Sequence, residues 1–161
     1  MMIVALNDIT AVQSKPTVTT LKKCERLMDY AATYPKAKLR FFSSDMVLHV
    51  DSDAVYLVQN NTRSRITGYY ILSTYPPPPP AIPQPAPNAP ILVECKTLQT
   101  IVASAAEAET GSLFHNGQII IHIRRQLEAL GHPQPPTPLK IDNSTSNEFV
   151  NKSLRQKKAT L

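Results

Sequence analysis

Residues Leu48 to Tyr56 read LHVDSDAVY and lie within a segment, Met46 to Val58, that is rich in β-branched and aromatic side chains. That composition predicts a strand. Successive strand side chains alternate between faces, so Asp51 and Asp53 lie on the same side of it. An acidic residue in an apolar strand is costly unless it is solvated at an edge, paired or bound to metal. Taken alone, two such aspartates are more commonly a solvated face than a site. Working outward, Asn60, Asn61 and Thr62 supply a turn, and Ile66 to Thr74 gives a second strand with Gly68 inside it. The two strands are expected to form an antiparallel hairpin. Next comes a proline run, Pro76 to Pro80, with Pro83, Pro85, Pro87 and Pro90 behind it. Proline fixes φ and lacks the N–H, so this run is expected as an exposed polyproline II loop outside sheet and helix. It reads as a stiff spacer rather than as a docking site for an aromatic-lined module. Ile91 to Leu98 resumes strand character.

Upstream, residues 1 to 16 show no sustained apolar period and end at Pro16, which predicts an irregular or frayed arm. In Thr17 to Tyr34 the apolar positions Val18, Leu21, Cys24, Leu27, Met28 and Ala31 recur at steps of three and four, one face of a helix. Thr17 or Thr19 caps its start and Pro35 stops it. Downstream, one helix is expected from about Thr100. A second is expected from Gln118 to Leu130, with Ile119, Ile120, Ile123, Leu127 and Leu130 on one face and Gly131 and Pro133 ending it. The β-branched run Ile119 to Ile121 also fits a strand. Leu139 to Ile141 predicts a short strand and Thr145 to Leu154 a helix. Three antiparallel-looking strands, then helix, then strand imply an α/β mixed sheet with helices on its faces. The division is an N-terminal arm and connector helix over 1–40, then one domain over 41–161 with the proline-rich loop 75–90 between strands.

Two further acidic sites accompany the strand. In SAAEAETGS, Ser104 to Ser112, Glu107 and Glu109 stand roughly 200° apart around a helix, so they cannot serve one inward site together. Glu109 falls on the stripe of Ile101, Ala105 and Leu113 and is expected to face the sheet. Glu107 is expected to aid the helix N-terminus by its charge. In KIDNSTS, Lys140 to Ser146, Asp142 stands at a strand end ahead of a helix. Both a helix cap and a ligand fit there.

The chain has 161 residues, 17 Lys and Arg against 12 Asp and Glu, and a net charge of +5, which favours polyanionic partners. Basic residues cluster at Lys36, Lys38 and Arg40 and at Lys152, Arg155, Lys157 and Lys158. Cys24 and Cys95 show no metal or redox spacing, and no leader pattern or membrane span is apparent. The expectation is a soluble protein in a reducing, intracellular setting: cytoplasm, virus-like particle or nucleus.

An Asp on the first strand, a Glu on the first helix after the sheet and an Asp at the end of the fourth strand, in that order, resemble the ribonuclease H fold. The wording resembles the copia-type retrotransposon version of it. VDSDA with RSRITGYYIL is similar to that family's Asp-x-Asp strand, Arg-Ser-x-x-Gly turn and second strand. ILVECKTLQTIVASAAEAE is similar to its strand and Ser-x-Ala-Glu-Ala-Glu helix start, and LKIDNSTS to its Asp-Asn strand end. Residues 17 to 40 look like the connector that follows the polymerase in such polyproteins.

The resemblance implies a ribonuclease H-like fold and Mg²⁺-dependent (or Mn²⁺-dependent) endonucleolytic hydrolysis of RNA in RNA/DNA hybrids. Asp51, Glu109 and Asp142 are its implied catalytic and metal-binding residues. The implied partners are an RNA/DNA hybrid and the reverse transcriptase part of a polyprotein. Asp51 is preferred to Asp53, and Glu109 to Glu107, because the family uses the first aspartate and the second glutamate. The three carboxylates are expected to converge. The family also supplies a fourth Asp or His after a basic stretch like RQKKATL, and the sequence stops at Leu161 about where it is due, so hybrid binding with weak cleavage is expected. The rival readings are a catalytically dead, domesticated remnant that binds nucleic acid, a scaffold built around the proline-rich loop, and an integrase-type reaction on a related acidic triad.

Overall fold

β1 (Val47–Gln59) is the strand on which the sheet is assembled. In the computed structural model, which describes residues 2–59, 62–74 and 88–141, β1 pairs antiparallel with β2 (Arg63–Ser73), and β2 with β3 (Pro90–Thr97). The short β4 (Leu139–Lys140) joins the other edge of β1 in parallel, giving the order β3-β2-β1-β4. The expected hairpin and the mixed α/β sheet are therefore present. Asn60 and Asn61 of the expected turn, the proline-rich run as far as Pro87, Asp142 and the expected helix at 145–154 lie outside the described residues. The last part of the expected loop is not loop-like. Asn88 and Ala89 are buried, and Pro90 opens β3, a place where a missing N–H costs least.

Two helices precede the sheet. α2 (Val18–Thr33) begins at Thr17, which forms a reciprocal capping box with Thr20. α1 (Met2–Thr10) corrects the expected frayed arm. It buries none of its residues and is held by specific polar contacts instead. The Asp8 carboxylate is ion-paired with the buried Arg65 of β2, and the Asn7 amide donates to the Cys95 carbonyl of β3 at 3.1 Å.

After the sheet comes one helix where two were expected. α3 (Ala105–Ala129) runs through Gly117 and the Ile119–Ile121 stretch without a break. It closes on Gly131 at φ +88°, with His132 N–H donating to the Leu127 carbonyl and Gly131 N–H to that of Glu128. This is the Schellman arrangement in which glycine takes the left-handed position. Ile120 and Leu127 join Leu48, Val50, Tyr70 and Leu72 in the core, with Ile119 and Ile123 partly buried against them. Leu130, expected on the same face, is exposed.

Toward its start α3 meets the sheet through polar groups. The Asn116 amide donates to Ser52 Oγ and to the Thr67 carbonyl, each at 2.9 Å, and the Tyr70 hydroxyl donates to Asn116 Oδ1 at 2.9 Å. Ser112 Oγ lies 3.0 Å from Ser52 Oγ and 2.9 Å from the Asp53 carbonyl. Ser52, Tyr70, Ser112 and Asn116 are all buried, so the bonds must be made for the residues to be there. Burial pushes the Tyr70 hydroxyl well above its ordinary range, with the Glu94 charge adding to it, so Tyr70 serves as a donor.

This layer sits directly above Gly68, where an added Cβ would stand 2.6 Å from Asn116 Oδ1 and 2.9 Å from the Tyr70 ring. Neither neighbour is a loose chain end, because each holds the other. Gly68→Ala is expected to destabilise the fold by about 1–3 kcal/mol, the usual range for overpacking. Urea unfolding against the parent checks this, and an unchanged midpoint would show that the layer yields.

Candidate carboxylate site on the β1 edge

Three N–H groups on the outer edge of β1 are each satisfied by a different kind of acceptor. Leu48 N–H donates to Gln134 Oε1 at 3.0 Å, Val50 N–H to the Pro138 carbonyl at 3.1 Å, and Ala54 N–H to Glu109 Oε1 at 3.2 Å. The loop between α3 and β4 is fixed for this purpose. Gln134 returns its amide to the Met46 carbonyl at 2.9 Å. Arg124 of α3 donates to the carbonyls of Gln134 and Pro135 and to Thr137 Oγ1. β4 then runs beside β1 with Lys140 opposite Asp51. Among the described residues β4 ends at Lys140, and further along β1 Glu109 is the acceptor for Ala54 N–H.

Glu109 is 5% exposed, which bears out its expected turn toward the sheet. The stripe that carries it is not the expected one. Ile101 precedes the helix and is 68% exposed, and Ala105 is exposed as well. The buried face runs instead through Ala108, Ser112, Leu113 and Asn116. Glu107 is exposed, as expected, and serves the helix start. Its backbone N–H donates to the Ser104 N-cap hydroxyl, while its Oε2 accepts from Ala103 N–H at 2.8 Å.

Asp51 and Asp53 are both exposed and flank the buried Ser52, whose hydroxyl meets α3. They therefore share a face, as expected, and it is the one turned away from α3. Glu109 reaches the strand edge at Ala54, next to Asp53. Asp142 follows Lys140 closely in sequence but lies outside the described residues. Among the described residues no group of three or more His, Cys, Asp or Glu side chains could hold a metal ion. The donors in question are all carboxylate oxygens, a set that suits Mg²⁺ or Mn²⁺ rather than zinc.

Two features were not foreseen. His49 is adjacent to Asp51 on the same strand face, and burial pushes its imidazole below 6.5, against a bond to the Thr74 backbone and the pull of Asp51. On the opposite side of the sheet, Glu94 of β3 pairs with Lys96 at 2.8 Å and with His115 of α3 at 2.9 Å. Burial alone would raise the Glu94 carboxyl, but the hydrogen bonds and charges of Lys96 and His115 hold it below 4.5. An Asp-x-Asp pattern draws attention away from a histidine beside it, and a Glu–His pair spanning strand and helix leaves no spacing in sequence.

Comparisons with protein-family models, with curated proteins and with solved structures find no match. No helix among the described residues is long and apolar enough to cross a membrane.

Two outcomes follow for stability. Glu109→Gln keeps an oxygen for Ala54 N–H and should unfold near the parent midpoint. Glu109→Ala leaves that amide without its acceptor and should lose about 1–3 kcal/mol, both read by thermal melts. For Glu94, a folded pKa below the unfolded one means the unfolded chain binds the proton more readily. Its contribution is thus full above about pH 4.5 and fades as pH falls through the lower folded value. Stability measured from pH 6 to 3 should fall less steeply in Glu94→Gln than in the parent, and parallel curves would refute the pairing.

Proposed function

We propose that this chain is a ribonuclease H-like domain of the copia retrotransposon kind, which hydrolyses RNA in RNA/DNA hybrids with Mg²⁺ and works beside the reverse transcriptase of the same polyprotein. The observation that carries the reading is that two further elements reach the middle of β1, between Asp51 and Ala54. A parallel β4 is in register with Asp51 and leads into Asp142, and α3 delivers the buried Glu109 to the same strand. The mixed sheet, with three antiparallel strands first and a parallel one after the helix, supports the ribonuclease H-like topology. Net positive charge suits a polyanionic substrate.

Asp51, Glu109 and Asp142 would hold the metal, which when bound supplies an activated water and stabilises the leaving oxygen of a phosphodiester. The chain's own contribution is positional. The bond from Ala54 fixes one Glu109 oxygen, and Arg124 and Gln134 fix the approach to β4. Recognition of RNA over DNA requires contact with 2′-hydroxyls across the shallow groove.

A second reading, a nucleic-acid-binding remnant without turnover, is favoured by one observation: Glu109 already has a structural task as acceptor for the strand edge. The two readings part on a single set of variants. Asp51→Asn, Asp142→Asn and Glu109→Gln should each lower Mg²⁺-dependent cleavage of a labelled hybrid a hundredfold or more, a loss of about 3 kcal/mol in barrier terms, while melting near the parent temperature. A parent that binds hybrid and does not cut it at any Mg²⁺ or Mn²⁺ concentration would establish the remnant.

A further inference from the structure

We propose that the run Tyr34 to Phe42, YPKAKLRFF, is a docking surface for single-stranded nucleic acid, separate from the carboxylates along β1. It joins α2 to the strand β1 and belongs to neither. Its backbone is nonetheless held in place. Ala37 N–H closes a turn on the Tyr34 carbonyl at 3.1 Å, and Ala89 N–H donates to the Arg40 carbonyl at 3.0 Å. The buried Asn88 grips Phe42 from both sides, accepting its N–H at 2.8 Å and donating to its carbonyl at 3.0 Å, while also donating to the Leu72 carbonyl of β2 at 2.9 Å.

The segment so fixed turns its large side chains outward. Tyr34 is 57% exposed, Phe41 60% and Phe42 55%. Lys36, Lys38 and Arg40 are exposed too, and among the described residues no ion pair engages them. No acidic residue falls between Asp29 and Asp45. Exposed cations flanked by exposed rings are the two elements of single-strand recognition: cations follow the phosphates, and bases stack on aromatic faces regardless of sequence. A duplex offers phosphates but keeps its bases stacked on one another, so the rings favour the single strand. A protein partner recognised by aromatic area alone would not call for three exposed cations on the same short stretch.

The test uses the full chain in EDTA, where any role of divalent metal at the carboxylates is silent. The probes are fluorescein-labelled twelve-residue oligo(dT) and oligo(U), followed by anisotropy as salt is varied, with a hybrid duplex of the same length alongside. Binding to both oligonucleotides is expected, and Phe41→Leu/Phe42→Leu, which keeps apolar bulk and removes the rings, should weaken it about tenfold. Lys36→Ala/Lys38→Ala/Arg40→Ala should weaken it as well and lower the log–log salt slope by about 2, given roughly 0.7 per phosphate contact. The altered side chains are exposed, so the circular dichroism melts of the variants should match the parent. Several results would overturn the proposal: affinity untouched by the leucine pair, loss in the charge variant alone, hybrid binding weakened by the leucine pair as much as single-strand binding, phosphatidylserine vesicles preferred to the oligonucleotides, or oligomerisation that disappears with the leucine pair.

Discussion

Asn116 is the residue that decides how α3 lies on the sheet. Its amide donates to Ser52 of β1 and to the backbone of β2, and its oxygen receives the Tyr70 hydroxyl. An apolar contact at this place would let the helix slide by a fraction of a turn at little cost, because dispersion and burial are not directional. A set of buried hydrogen bonds does not allow that, since each bond left unmade would cost about 1–3 kcal/mol. Gly68 makes the approach close enough, and Ser112 ties the previous turn of the helix to Asp53. With α3 fixed in height and rotation, Glu109 arrives at Ala54 and not at some other rung of β1.

The edge of β1 shows the same economy at the other end of the molecule's short parallel pairing. Two residues long, β4 cannot cover β1 by itself. A glutamine side chain, a backbone carbonyl and a carboxylate take the N–H groups of Leu48, Val50 and Ala54, which leaves these donors unavailable to another strand. Closure by a carboxylate has a chemical consequence. One Glu109 oxygen is held by a main-chain donor, which keeps the side chain from swinging away, as preorganised sites require.

The strands β1, β2 and β3 were legible because β-branched and aromatic runs separated by turn residues leave a strong local signal, and α2 because its threonine cap and apolar period agree. α1 was not legible for a physical reason: its hold on the sheet is two long-range polar contacts, through Asn7 and Asp8, and it buries none of its side chains. Gly117 and the isoleucines behind it suggest a break in α3, and tertiary packing of Ile120 and Leu127 on the sheet overrides that local weakness. The inward turn of Glu109 was readable from helix geometry, although the buried face of α3 runs through Ala108, Ser112 and Asn116 and not through Ile101 and Ala105. The face of Asp51 relative to α3 was not, because alternation says which residues share a side and never which side meets the helix.

The proposed chemistry depends on a divalent metal binding at the carboxylates along β1. Amide resonances of the folded, isotopically labelled protein, recorded while Mn²⁺ is added in substoichiometric steps, report this without any substrate. A metal held there should selectively broaden Asp51 to Ala54 and Glu109 with its helical neighbours, an effect reversed by excess Mg²⁺ and absent in Asp51→Asn. Broadening centred on Glu94 and His115, or none at all in protein that remains folded, would contradict it.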